Sequence, residues 1–178
     1  LAVAAVAHEL GMPARQIGEA LDQAGAMSRW RMEVHERTDG VTIVNDAYNA
    51  NPDSMRAALR SLAVMRDSGR TVAVIGEMRE LGEDSVAEHR AIGALAAELG
   101  IDTVVAVGEG AKPVAEGFTA TGGADTHECA DTDEARTLLD GLLRDGDVAL
   151  LKSSRDSGLR FLGDALVAEP TTDGHGEP

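Results

Sequence analysis

The run VNDAYNANPDSM, Val44 to Met55, sets Asp46, Tyr48, Asn49 and Asn51 between an apolar segment and Pro52. A carboxylate at the end of a strand can accept hydrogen bonds from a ribose diol, as acidic residues do in dinucleotide folds. Asn51 has a second reading of equal weight, as the N-cap of a helix that Pro52 opens, and Asp46 can serve a turn. A second cluster, Lys152-Ser153-Ser154-Arg155, follows the apolar run DVALL. In a chain of formal net charge −15, two cations at a strand-to-helix turn make a local anion site suited to a substrate carboxylate. The competing reading is a helix N-terminal loop with incidental basic residues. Two further loops, Gly76-Glu77-Met78 running on to Glu80, Gly82 and Glu83, and Gly108-Glu109-Gly110, also follow apolar runs. Four such loops on one edge exceed what ordinary turns require.

Familiar phosphate and metal signatures are missing. No G-x-G-x-x-G follows the first strand, and VGEGAK matches only its first two glycines, which argues against an NAD site. No Gly-Lys pair occurs, so there is no G-x-x-x-x-G-K-[ST] loop to cradle a triphosphate. His8, His35, His89, His127 and His175 make no metal-ligand spacing with one another, and solvated or packing roles are expected for them. Cys129 is the single cysteine, which excludes an internal disulfide and a cysteine zinc cluster. No metal site is predicted.

Hydrophobic periodicity supplies the elements that must position these groups. LAVAAVAHELG and PARQIGEALDQAG read as a helical pair ending at Gly11 and Gly25. Arg31–Arg37 alternates, Thr38-Asp39-Gly40 is a turn, and Val41–Asp46 is a strand, so a hairpin is predicted. Helices are predicted at PDSMRAALRSLAVM, Ser85–Leu99, Ala111–Phe118, Thr132–Arg144 and Gly158–Val167. Strands are predicted at 71–76, 103–108, 147–152 and, weakly, at Thr126–Cys129. Continuous apolar strands alternating with helices imply an α/β, Rossmann-like three-layer domain with a mostly parallel sheet and an N-terminal hairpin strand. Ligands then sit at the carboxyl ends of the strands. Trp30, between Arg29 and Arg31, is expected where the helical pair meets the sheet domain. The polar tail from residue 169 to 178 is expected to be disordered.

The chain has 178 residues, 43% hydrophobic but only 2% aromatic, so Ala, Val and Leu must build the core. Its acidity argues against general nucleic-acid or anionic-membrane binding. Neither a membrane-spanning run nor a signal peptide is visible, and a cytoplasmic location is the default. The chain begins at Leu1 inside a helical pattern, as expected of part of a longer protein.

Three motifs together, DAYNANPDSM, VIGEMRELGEDS and LLKSSRDSGLR, closely resemble the C-terminal domain of the Mur ligases. Among these the resemblance is to members that add D-alanyl-D-alanine to UDP-N-acetylmuramoyl-tripeptide during peptidoglycan precursor synthesis. It runs from about Leu1 to Val167. It implies that residues 1–28 are terminal helices of a central ATPase domain and that 29–168 form the C-terminal domain. The phosphate loop, and a modified lysine that helps hold metal, would then lie upstream. ATP and Mg2+ are implied, bound mainly by that upstream domain, and the fragment alone is expected to be inactive. By resemblance, Arg31 matches an interdomain arginine that reaches the ATP phosphates, and Asp46 an aspartate at the ATP ribose. Tyr48 and Asn49 would line the nucleotide site. Asn51, Lys152, Ser153 and Arg155 would bind the dipeptide, the last three near its carboxylate. No catalytic residue is assigned within the chain. The alternatives are a non-catalytic Rossmann-like module that binds a nucleotide or amino acid, and a related ligase such as folylpolyglutamate synthetase.

Overall fold

The computed structural model describes residues 2–23, 29–66 and 68–168. The expected tail, 169–178, and the predicted helix stop at Gly25 lie outside the described residues. The helical pair is α1 (Ala2–Glu9) and α2 (Ala14–Gln23). Six strands follow: β1 (Glu33–Glu36), β2 (Thr42–Asn45), β3 (Thr71–Gly76), β4 (Thr103–Val107), β5 (Asp125–Cys129) and β6 (Val148–Lys152). Between and after them run α3 (Pro52–Met65), α4 (Ser85–Glu98), α5 (Lys112–Ala120), α6 (Thr132–Leu142) and α7 (Leu159–Val167). No helix among the described residues is long and apolar enough to cross a membrane.

The spatial order is β1-β2-β6-β3-β4-β5, with β1 antiparallel to β2 and every other pairing parallel. Side chains alternate across the strands, and the two faces build separate cores. Ala73, Ile75, Val104 and Leu150 pack under α3, α4 and α5 through Met55, Leu59, Leu62, Ile92, Val114 and Phe118. Val72, Val74, Val105 and Leu151 pack under α6 and α7 through Leu139, Leu159, Leu162 and Leu166. The predicted three-layer architecture is therefore the observed one. With so few aromatics, bulk is replaced by close approach. A Cβ on Gly93 of α4 would lie 1.9 Å from the Val114 carbonyl oxygen, and one on Gly117 of α5 would lie 2.1 Å from that of Arg90. These two helices thus touch backbone to backbone.

Strand β6 enters last, between β2 and β3. α3 leaves β2 on one face and α6 brings the chain back on the other, which makes a topological switch point at β2, β6 and β3. The register sets Asn45 beside Leu151 and Ile75 beside Lys152. Asp46 consequently emerges beside Lys152, and Glu77 two residues further along, beside Ser154.

Two expectations change here. The hairpin's first strand starts at Glu33 rather than Arg31, because Trp30 and Met32 take positive φ, 60° and 48°. Left-handed backbone is costly for bulky residues and ends strand geometry. Trp30 packs on α7: its indole Nε1 donates to Asp164, and its ring meets Phe161 edge to face at 6.0 Å between centroids.

Candidate functional site

The site is built from three loops at the carboxyl edge. The first runs from Asp46 to Asn51. Asp46 N donates to the Leu151 carbonyl at 3.0 Å, extending the β2–β6 ladder by one bond. The Asp46 carboxylate accepts from Met32 N at 3.0 Å and from Lys152 Nζ at 2.6 Å. Tyr48 N donates to the Trp30 carbonyl at 3.0 Å. These contacts hold Trp30 and Met32 in their left-handed conformations on either side of Arg31. Arg31 is thereby carried over the Tyr48 ring, with its guanidinium carbon 4.5 Å from the centroid.

Asn51 caps α3. Its side chain accepts from Ser54 N at 2.8 Å, and the Ser54 hydroxyl accepts from Asn51 N at 3.1 Å, a complete capping box. The capping reading of Asn51 is thus realised, and the residue also lines both clefts described below.

The second loop runs from Glu77 to Leu81. Met78 N donates to His89 Nε2 at 2.8 Å, and Arg79 N donates to the Ser154 hydroxyl at 2.9 Å. Glu80 follows with φ of 66° and makes no ion pair or hydrogen bond among the described residues. Arg79 pairs with Asp156 at 3.1 Å and lies 3.6 Å from Glu77, all solvent-exposed contacts of small individual worth.

The third loop follows β6. Ser154 N donates to the Glu77 carbonyl at 2.9 Å, tying the second and third loops together. Arg155 is exposed, makes no ion pair among the described residues, and sits 5.8 Å from the Tyr48 centroid.

Two adjoining clefts result. The smaller, about 210 Å³, is lined by Arg31, Asp46, Tyr48, Asn49, Asn51, Ser54 and Lys152. The larger, about 520 Å³, shares Tyr48, Asn49 and Asn51 and adds Ala50, Ser154, Arg155 and the Arg79–Leu81 segment among others. Tyr48 lines both clefts, and its ring lies near one guanidinium from each, Arg31 of the smaller and Arg155 of the larger.

Lys152 and Ser153 differ from expectation. Lys152, 2% exposed, spends its three ammonium protons on the Asp46 carboxylate, the Asp46 carbonyl at 3.4 Å and the Asn49 carbonyl at 3.2 Å. It is a pin under the first loop rather than a free cation for a substrate anion, and it lines the smaller cleft. Ser153 is fully buried against Gly76, with its hydroxyl bonded to Ser157, and lines neither cleft. The cations lining the larger cleft are Arg155 and Arg79, the latter paired with Asp156, and Glu80 and Asp156 line the same cleft. Glu80 and Ser154 belong to the strand-end loops singled out in the sequence but carry no assigned role there, and Arg79 is not named there. The only sequence signal for them was the unusual density of polar residues after two apolar strands. No group of three His, Cys, Asp or Glu residues among those described is arranged to hold a metal ion.

Residues 30–155 match the family model for the Mur ligase, glutamate ligase domain. The UDP-N-acetylmuramoyl-tripeptide–D-alanyl-D-alanine ligases of Mycobacterium bovis and Mycobacterium tuberculosis are each 47% identical over 190 residues, covering 96% of this chain and 37% of theirs. A crystal structure of MurF from Acinetobacter baumannii is similar at a TM-score of 0.77 and 32% identity, covering 90% of this chain and 35% of that one. The chain thus spans little more than a third of the length of these relatives. The family model spans well over half of the chain and these relatives agree with it, and the chain belongs to the Mur ligase family.

Proposed function

We propose that this chain is the C-terminal part of an ATP-dependent ligase that joins D-alanyl-D-alanine to UDP-N-acetylmuramoyl-tripeptide. The observation that carries the reading is Tyr48, shared by the two clefts, with Arg31 lining the smaller and Arg155 the larger. Two cations that make no ion pair among the described residues, one in each cleft, suit two different anions, a nucleotide phosphate and a peptide carboxylate. The names of the relatives support the choice of dipeptide and acceptor.

In this reading the smaller cleft closes over ATP held by an upstream domain. Asp46, already aligned by Lys152 and Met32 N, keeps free lone pairs for the ribose hydroxyls, and Arg31 reaches toward the phosphates. Tyr48 and Asn49 wall the nucleotide. In the larger cleft Arg155 and Arg79 hold the dipeptide carboxylate, and Asn51 orients the peptide. The tripeptide carboxylate takes the γ-phosphoryl group of ATP, releasing ADP, and the dipeptide amine then attacks the acyl phosphate carbonyl, losing a proton and expelling phosphate. The chain contributes by fixing the amine donor near that carbonyl and excluding water. The described acidic residues do not fit a Mg2+ ion, so the reading assigns the metal and the phosphate loop to the upstream domain, with residues 1–28 as its last helices. A cytoplasmic location goes with these substrates.

Phosphate release by the full-length protein, with tripeptide nucleotide and ATP present, tests the reading. It should be several-fold faster with D-Ala-D-Ala than with D-alanine or L-alanine. Saturable binding of nucleotide or amino acid without turnover would favour a non-catalytic module, and preference for a single amino acid would favour a different ligase of the family.

A further inference from the structure

His89 is a fully buried polar residue of α4 that lines neither cleft. Its Nε2 is 2.8 Å from Met78 N, and its Nδ1 is 2.7 Å from the Ser85 carbonyl oxygen. An amide N–H can only donate, so Nε2 must be the unprotonated nitrogen, and Nδ1 carries the proton given to Ser85. The ring is therefore neutral and of one tautomer. Its acceptor face is spent on a single loop amide.

That amide begins the lip of the larger cleft. Glu77, Met78 and Arg79 are fastened at three successive residues. The Glu77 carbonyl is held by Ser154 N, Met78 N by His89, and Arg79 N by the Ser154 hydroxyl. Two of these bonds come from the loop after β6, whereas among the described residues the hydrogen bond from this segment to α4 is the one His89 accepts. The next residue, Glu80, is left at φ of 66°, a conformation an L-residue keeps only when its neighbours fix it. The lip then offers the Arg79 guanidinium and the Glu80 carboxylate to one cleft, charges of both signs, as a zwitterionic ligand would need.

We propose that His89 is a positioning residue for the amine donor: by accepting the Met78 N–H it sets the Arg79–Glu80 lip that recognises the carboxylate and ammonium ends of the dipeptide. The proposal rests on the assignment of the larger cleft to D-Ala-D-Ala.

The test uses the full-length enzyme with His89→Asn and His89→Gln. Asparagine reaches the Ser85 carbonyl but not Met78, whereas glutamine can place an acceptor near the Nε2 position. His89→Asn should raise the dipeptide KM about ten-fold, in line with one buried donor left unpaired, with the ATP KM within about two-fold of the parent. His89→Gln should restore the dipeptide KM to within about three-fold. Equal movement of both KM values, no movement at all, or failure of Gln to rescue would overturn the proposal. If a variant does not fold, nitrogen-15 NMR of the parent enzyme decides: Nε2 should resonate as an unprotonated ring nitrogen near neutral pH, and a protonated Nε2 would overturn the proposal. If the parent instead turns over a different amine donor, the dipeptide assignment fails, while the same KM split, measured with that donor, still decides the role of His89.

Discussion

Lys152 Nζ stands 2.6 Å from Asp46 Oδ2, across the seam where β2 and the last-inserted strand β6 end side by side. The lysine side chain is 3% exposed and the aspartate 14%, so the pair is shielded from solvent but borders the smaller cleft. Removing the cation while leaving the carboxylate behind costs more than the pair itself contributes. Lys152→Met should lower stability by roughly 2–3 kcal/mol in chemical denaturation. It should also raise the ATP KM of the full-length enzyme more than the dipeptide KM, because Asp46 loses its orientation. Adding Asp46→Asn should recover part of the stability, a coupling on the order of 1 kcal/mol or more in a double-mutant cycle. Strict additivity, or a KM effect confined to the dipeptide, would return Lys152 to the role of a free cation.

Asp147, immediately before β6, gives the fold a pH dependence separate from the site. Burial pushes its carboxyl toward a higher pKa. Hydrogen bonds from the Arg70 guanidinium, Arg70 N and Arg144 N outweigh that and hold it below the usual carboxylate value. A carboxyl that binds protons less readily when folded contributes stability above its unfolded pKa, about 4, and that contribution drains away as pH falls through the lower folded value. Asp102, held down through Arg66 and Thr71 against its own burial, adds in the same direction, though its carboxylate is far more open to solvent than that of Asp147. Asp147→Asn should cost about 2 kcal/mol at pH 7. The gap to the parent in urea midpoints should narrow as pH falls below about 4 and on through the lower folded value, where the parent's carboxylate is protonated too. A constant gap over that range would count against the linkage.

Asn51 joins a structural role and a proposed binding role in one side chain, and the two are separable. Its Oδ1 is used by Ser54 N, whereas its amide protons have no described partner and the residue lines both clefts. Asn51→Ala should lose about 1 kcal/mol through the missing cap. Asn51→Asp keeps the cap acceptor, so its melting temperature should stay near that of the parent. It should still raise the dipeptide KM about ten-fold, because a donor has become a negative charge. Unchanged kinetics in the Asp variant would leave Asn51 as a helix cap only.

How much of this was visible in the residues follows from the range of each interaction. Pro52 at N1 and Asn51 before it are local signals, and α3 begins where they say. Strand existence and the two-sided core follow from continuous apolar runs such as TVAVIG, buried throughout. The Lys152–Asp46 pair depends on β6 slotting between β2 and β3. Periodicity along one segment carries no information about which segment lies beside it. The positive φ of Trp30 and Met32 was likewise hidden, since bulky residues ordinarily avoid it and only contacts to Asp46 and Tyr48 from the far side of the hairpin enforce it. His89 looks like any polar residue in an amphipathic helix until the loop that lies against it is placed.

Glu80 allows strain and recognition to be measured against each other. Its φ of 66° in an exposed loop residue costs about 1 kcal/mol relative to a residue that tolerates the left-handed region. Glu80→Gly should therefore hold or raise the melting temperature, with up to about 1 kcal/mol gained less the added flexibility of glycine in the unfolded chain. The same change removes the carboxylate from the lip of the larger cleft, and the dipeptide KM should rise with little change in the ATP KM. Glu80→Gln separates charge from backbone: it retains the strained conformation but cannot pair with an ammonium, so it should reproduce the kinetic loss without the gain in stability. If Gln behaves as the parent while Gly is impaired, the carboxylate is dispensable and the loop's rigidity alone shapes the cleft.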